Sequence, residues 1–353
     1  VTMRTEWMSG ANMLRVSWDG SWFENLDDTL VWDSPLRLTD STSAPGRGRM
    51  ALWPSNTAQT VSITGYRKFQ RRTQLTGFVS FGSRSNNEPL QPFTINNTLQ
   101  QLALPRSTAE ADAQVLSLNL NLVSRPVNDW HLTARVRSYD YNNNMPHTSI
   151  PQFINYDTSV TTSATGGPEL YAHSRMTLDA DATWTKIQPF AFTIGYTRNN
   201  TGHDFRIFES TGENVLRLTA DAIGSQWVTF RAQYELADRA GSGLDEDLLV
   251  QIGEQPAMRH FDVANRNRKR FTGQVDFVPS DIWTFTLSGG LGDDDFADSY
   301  FGLQKSDFHT ISVAADGHLP SRLGVGATYN YEDYRGVQRP RSRRPGQTPD
   351  QGT

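Results

Sequence analysis

The residues with the clearest capacity for chemistry form a run of carboxylates, GDDDFAD, from Gly292 to Asp298. Asp293, Asp295 and Asp298 offer oxygen ligands of the kind a hard cation such as calcium takes. The run lacks the ligand spacing and closing glutamate of an EF-hand, so it reads as a solvated loop that supplies metal candidates and no more. Just upstream, Asn265 to Arg270 spells NRNRKR. That stretch could hold lipopolysaccharide phosphates or a surface partner, but it reads first as the solvated beginning of a strand. The seven histidines, at 131, 147, 173, 203, 260, 309 and 318, show no ligand spacing. The chain also carries no nucleophile elbow, phosphate loop or zinc signature. None of these motifs assigns a catalytic residue.

A second set of ionisable residues is spread along the chain with a regular phase. Arg15, Arg135, Arg137, Arg217 and Arg231 alternate in step with Asp179, Asp181, Asp221, Asp276 and Glu235. A dry core could hold such a mixed-charge set only at heavy desolvation cost, whereas a hydrated bore holds it readily. The elements that would position these residues are visible in VLSLNLNLVS, Val115 to Ser124. There Leu116, Leu118, Leu120 and Leu122 share one face of an extended chain, and Ser117, Asn119 and Asn121 share the other. The same alternation recurs in Met176 to Trp184, Phe190 to Tyr196, Leu216 to Ala222, Val228 to Tyr234, Phe271 to Phe277, Trp283 to Leu291, Ile311 to Ala315 and Leu323 to Tyr331. With the segments around Val1 to Trp18 and Val61 to Phe81, this makes roughly seven hairpins and fourteen strands.

The connections and the aromatics follow a second order. Within hairpins the turns are short, about three to five residues, and most contain Gly or Pro: Gly10, Pro126, Pro189, Gly224, Pro279, Gly317 and Pro320. Between hairpins the loops are read as polar and long, roughly 14 to 38 residues. Trp7, Trp130, Trp184 and Trp283 fall where strands meet short turns, and Tyr196, Tyr234, Tyr329 and Tyr331 fall towards the long loops. Amphipathic rings prefer the two bilayer interfaces. Trp227, out of phase with Val228 and Phe230, reads as a rim or lumen residue.

Composition narrows the class further. The chain has 353 residues, of which 37 % are apolar, low for a solid core of this size. A net charge of −5 gives no field pointing to nucleic acid, and the absence of cysteine excludes disulfides, thiolate metal sites and covalent haem attachment in this chain. No stretch of 18 apolar residues offers a membrane-spanning helix. The chain opens at Val1 already alternating, without an export signal, as expected of a mature protein or an internal fragment. The reading is all-β: a transmembrane, antiparallel, up-and-down β-barrel in a bacterial outer membrane, with short periplasmic turns and long extracellular loops. The barrel is expected over residues 1–335, and residues 336–353, with Arg339, Arg341, Arg343 and Arg344, read as a polar basic tail.

Several segments are less generic. They are SWDGSWFENLDDTLVWDSPL (Ser17 to Leu36), YRKFQRRTQLTGFVSFGSRSNNEPLQPFTIN (Tyr66 to Asn96), LPRSTAEADAQVLSLNLNLVSRP (Leu104 to Pro126) and LTARVRSYDYNNNMP (Leu132 to Pro146). In these the chain resembles the MtrB/PioB family of decahaem-associated outer-membrane barrels. The resemblance implies a sleeve around a periplasmic decahaem c-type cytochrome, which lets electrons cross the outer membrane, in some members to an extracellular multihaem cytochrome. On that expectation this chain has no catalytic residue, binds no cofactor and is not an enzyme: the haem belongs to the partner, and the in-phase Arg, Asp and Glu side chains face it. Outer-membrane lipid and lipopolysaccharide would surround the barrel. Family barrels exceed fourteen strands, so the chain reads either as part of a larger barrel or as a closed, porin-sized one. A general diffusion porin and a secreted soluble β-rich binding protein are the alternative functions.

Overall fold

The computed structural model describes residues 1–340 apart from 34, 36–45, 71, 96–101, 149–152, 156–158, 162–169, 205, 223–226, 252–254 and 320–322. In chain order the strands begin β1 (Thr2–Ser9), β2 (Asn12–Phe23), β3 (Thr29–Asp33), β4 (Arg47–Ala51), β5 (Asn56–Phe69), β6 (Thr73–Asn86) and β7 (Ala111–Ser124). They continue with β8 (Trp130–Asn143), β9 (Phe153–Asn155), β10 (Ser159–Thr161), β11 (His173–Trp184), β12 (Phe190–His203), β13 (Phe208–Ala222) and β14 (Val228–Leu244). A short helix α1 (Glu246–Gln251) precedes β15 (Met258–Arg259), β16 (Arg266–Phe277), β17 (Trp283–Asp295), β18 (Phe301–His318) and β19 (Gly324–Arg339).

Fourteen of these, all but β3, β4, β9, β10 and β15, form one continuous antiparallel sheet in which each strand pairs with its neighbour along the chain. The pairs β3–β4 and β9–β10 are separate ribbons in the long connections, and β15 adds a two-residue parallel bridge to β18. Each strand alternates apolar and polar side chains, and the register keeps them in phase from strand to strand. Leu118 faces Val79, Val79 faces Ile63 and Ile63 faces Val16, all on one side of the sheet. A slip of one residue anywhere would turn a whole strand's leucines to the other face. The β1–β2 turn is just Gly10 and Ala11, and Gly10 takes the positive φ of 55° that so tight a hairpin needs.

The hydrogen-bonded rows climb relative to the strand ends. The row of Trp184 passes through Phe192, Ala220, Ala232, Gly273, Gly289 and Ile311 to Tyr331. By then it has moved from the last residue of β11 to the eighth residue of β19. That is a stagger of about one residue per strand, which tilts the strands by roughly 35°, within the range for barrels. It also explains why the tyrosines do not share a row. Tyr196, Tyr234 and Tyr331 each stand six or seven residues from the short-turn end of their strands, and Tyr329 stands one outward position below Tyr331.

The large apolar side chains lie on the outer, convex face and are exposed, Leu116 at 47 % among them. Among the described residues, the nearest thing to a dry core is a small cluster of Ile207, Phe208, Leu249 and Val263, where the start of β13, α1 and the segment before β16 come together. Trp7, Trp130, Trp184 and Trp283 ring the short-turn end of the outer face, with Trp184 against Phe192 and Trp283 stacked on Phe285 at 6.1 Å. Trp227 joins this ring rather than the lumen, packing edge-on against Phe277.

Three expectations need correction. The far-side connections are not uniformly long: residues 204–207 and 296–300 link β12 to β13 and β17 to β18. The strands continue past the apolar band, where polar side chains hide the alternation from a reading of hydrophobicity. For the same reason β19 runs through the expected boundary at 335 to Arg339. Arg339 is no free tail residue, since its guanidinium lies 4.2 Å from the Tyr300 ring centroid. Arg341, Arg343, Arg344, Gly224 and Pro320 lie outside the described residues. Finally, GDDDFAD is not one loop: Gly292 to Asp295 belong to β17, whose alternation sends Asp293 and Asp295 outward and Asp294 inward.

A charge on the outer face tests the lipid assignment. Leu120→Arg should lower stability in lipid vesicles by about 2–4 kcal/mol, and Asn119→Arg on the inner face by less than about 1 kcal/mol, read from urea unfolding midpoints.

The inner polar face as candidate functional site

The inner face carries side chains of one parity from every strand. Near the middle of the sheet they form a chain of hydrogen bonds. Arg137 Nη2 donates to Asp179 Oδ2 at 2.8 Å, and Thr197 Oγ1 donates to Asp179 Oδ1 at 2.8 Å. Arg217 Nη1 donates in turn to Thr197 Oγ1 at 2.8 Å, and its Nη2 to Asp181 Oδ1 at 3.3 Å. Four strands, β8, β11, β12 and β13, are thereby tied across their ladder by side chains. Gly195 makes room for this, because a Cβ there would collide with Asp181 Oδ1 and crowd Arg217. Asp179 is nearly buried beneath its partners.

The remaining anticipated lining residues also face inward. Arg15 Nε donates to Glu6 Oε2 at 2.6 Å, and Arg231 Nε donates to Asp221 Oδ1 at 2.6 Å, both directly across a strand pair. Arg135 stands opposite Asp179 in register, although that carboxylate bonds to Arg137. Glu235 lies between Arg217 on one side and Arg270 on the other. Asp276 accepts from neutral donors, Thr286 Oγ1 at 2.8 Å and Thr229 Oγ1 at 3.1 Å, together with Gln274. The pairs hold the lining close to neutral, and each exposed pair contributes no more than about 1 kcal/mol.

The densest part of the face is a cluster that lies beyond the apolar band on the long-loop side. NRNRKR is split by strand parity: Arg266, Arg268 and Arg270 point inward, and Asn267 and Lys269 outward. Arg268 binds Asp294 through both Nε, 2.6 Å, and Nη2, 2.7 Å, the bidentate geometry that suits guanidinium and carboxylate. Arg266 bonds Glu213 and lies 3.8 Å from Asp294, with Arg270 at 3.7 Å. Arg239 anchors the following loop by donating to the carbonyls of Ala264 at 2.8 Å, Asp262 at 2.9 Å and Phe261 at 2.5 Å. Burial and repulsion from Arg266 bring its pKa down to about 10, so it stays charged at neutral pH. This cluster was missed because a local reading sees a basic run and an acidic run. Carrying the alternation of Thr272, Gln274 and Asp276 upstream would have found it.

The metal candidates do not converge. Asp293 and Asp295 face outward, and Asp298 accepts from Asn265 Nδ2 at 2.7 Å. Among the described residues no three His, Asp or Glu side chains could share one ion.

Comparisons with known proteins agree with this architecture. The family model for outer membrane β-barrel porins of the MtrB/PioB type matches residues 1–350. Outer membrane protein MtrB of Shewanella baltica (strain OS185) is 23 % identical over 322 residues, covering 90 % of this chain and 44 % of that protein. This chain thus spans less than half the length of that curated relative. Among solved structures, the copper transporter OprC aligns with a TM-score of 0.55 at 9 % identity, over 97 % of this chain and 53 % of its own. The FrpB iron transporter of Neisseria meningitidis (F3-3 variant) aligns at 0.51 and 10 %, over 95 % and 51 %. At such identities these structures speak for the fold alone: a wall of a large outer-membrane barrel.

The Asp294 cluster gives a pH test. Burial works to raise the Asp294 pKa, but the bond from Arg268 and the attraction of Arg268, Arg266 and Arg270 outweigh it and hold the carboxyl below its ordinary value. A depressed folded pKa gives stability that is present above the unfolded value, about 3.9, and lost as pH falls through the folded one. Asp294→Asn should therefore cost about 1–3 kcal/mol at pH 7. The gap from the parent should narrow below pH of about 4, in urea titrations run at both pH values.

Proposed function

The chain belongs to the MtrB/PioB family of outer-membrane β-barrels, and on that footing we propose that it forms part of a sleeve around a periplasmic decahaem c-type cytochrome. The sleeve would carry electrons across the outer membrane by letting the haem protein itself enter the bilayer, as extracellular metal reduction or iron oxidation requires. A hydrocarbon slab excludes a charged haem protein, because desolvating its surface costs far more than any contact with lipid returns. A barrel with a wet, charge-paired inner face removes that barrier.

The observation that carries the reading is the open sheet. Fourteen strands closed at the observed tilt would make a ring only about 26 Å across between backbones, from a strand spacing of ~4.8 Å. After side chains, the bore would be narrower than a folded domain of even ~100 residues, whose radius of gyration is about 13 Å. Among the described residues the sheet does not close in this way: β1 pairs only with β2, and β19 only with β18. Both edges are available to further strands of a wider barrel, and the chain spans 44 % of the MtrB relative's length.

In this reading the chain performs no catalysis and binds no haem of its own. The haems sit in the partner, and Arg15, Arg135, Arg137, Arg217 and Arg231, with Asp179, Asp181, Asp221 and Glu235, present both signs of charge to propionates and surface side chains. An extracellular multihaem cytochrome would dock at the long-loop rim, and lipopolysaccharide would surround the outer face. A net charge of −5 offers nothing to nucleic acid. The alternative, a general diffusion porin, shares the wet bore but needs no partner within it.

The two readings separate on purification. The complex extracted from native membranes in mild detergent should carry c-type haem absorbance at about ten haems per barrel, and the barrel should block most ion flow until the cytochrome is stripped. A haem-free native complex with steady porin-like conductance in planar bilayers would support the porin instead.

A further inference from the structure

His173 and His203 are remote in sequence, but β11 and β12 pair them directly across one rung of the ladder. Both belong to the inward parity, and both lie beyond the apolar band at the extracellular mouth. Residues directly opposite on antiparallel strands hold their Cβ atoms about 4.5–5.5 Å apart. Two imidazoles so placed can reach a common ion at the roughly 2.0–2.1 Å distance of a metal–nitrogen bond.

The surroundings favour that use over plain packing. The His173 ring is flanked by Tyr171, Tyr139 and Tyr141, with centroids at 5.2, 5.3 and 6.2 Å. These rings shelter it without offering its Nδ1 a bond, and Nδ1 is buried with no hydrogen-bond partner. A buried polar nitrogen left bare costs free energy that stacking alone does not explain. On the other ring, Nε2 of His203 lies 3.2 Å from Thr211 Oγ1. With Nε2–H donating to that hydroxyl, Nδ1 becomes the lone-pair nitrogen, the arrangement by which outer-shell partners orient ligand histidines.

We infer that His173 and His203 form a two-histidine site for a borderline divalent transition metal such as Cu²⁺ or Zn²⁺. Paired neutral imidazoles suit these ions and not calcium or magnesium. Among the described residues no third His, Asp or Glu joins them, so water fills the other positions and the site stays open to exchange. Arg206 and Arg239 oppose a dication, which sets the site apart from tight structural zinc sites. The site is independent of the cytochrome proposal, because it needs only this chain.

Cu²⁺ added to the untagged, detergent-solubilised protein at one equivalent and pH 7.5 should give an electron paramagnetic resonance spectrum with coupling to two imidazole nitrogens. Calorimetry with Zn²⁺ should show a matching site, weakened at least about tenfold by His173→Ala or His203→Ala and severalfold by Thr211→Val, with His131→Ala as the unchanged control. Coupling to fewer than two nitrogens in the parent, which needs no variant to fold, would overturn the assignment. So would parent-like Zn²⁺ binding in both histidine variants that retain the folded barrel's electrophoretic mobility.

Discussion

Hydrocarbon offers no partner to a bare peptide group, and that constraint orders everything else in this molecule. Each N–H and C=O inside the bilayer must find its bond in a neighbouring strand. Among the described residues the ladder that joins β1 to β19 meets the requirement except along its two outer edges and at one irregularity between Leu303 and Lys305. The stagger of about one residue per strand then sets the tilt, and the tilt sets how many residues each crossing needs. β17 shows the outcome: Trp283, Phe285, Leu287, Gly289 and Leu291 keep one face apolar, and the same strand turns polar outward at Asp293. With the backbone satisfied by the ladder, the outer side chains need only be greasy, and the inner ones are released from any packing duty.

That release explains the composition of the inner face. In a packed core, Asp179 or Arg217 would be costly to keep; here each finds a cross-strand or diagonal partner and water beyond it. The pairing is denser past the membrane, around Asp294, where strands leave the lipid and lose the environment that orders them. Bidentate and shared ion pairs keep the wall rigid there. The Arg239 fork does the same for the loop that follows β14. The wall thus arrives at the long-loop rim as a defined surface.

Much of this was legible in the sequence because a period of two is printed in it. Leu116 to Leu122 announce both faces of β7, and the tryptophans sort to the short-turn ends of the strands, whereas Tyr196, Tyr234, Tyr329 and Tyr331 stand mid-strand and not, as expected, towards the long loops. What hydrophobicity cannot show is a strand that stays paired after leaving the lipid. β12 continues through Asn199, Asn200 and His203 with no apolar signal, so hydrophobicity alone makes a short connection look like a long loop. NRNRKR and GDDDFAD failed for a related reason: contiguous in sequence, they are divided between faces by the pleat, and only Arg266, Arg268, Arg270 and Asp294 meet. Partners set by register, such as Glu6 with Arg15 or His173 with His203, lie beyond any local window.

The chain's lack of cysteine makes the central claim directly measurable. Single cysteines placed from Leu116 to Leu122 in the membrane-embedded protein, challenged with a water-soluble maleimide, report which face of β7 meets water. Labelling at Ser117, Asn119 and Asn121, with protection at Leu116, Leu118, Leu120 and Leu122, is the pattern of a strand between lipid and a wet bore. Uniform labelling, or protection on the Ser/Asn face, would contradict it.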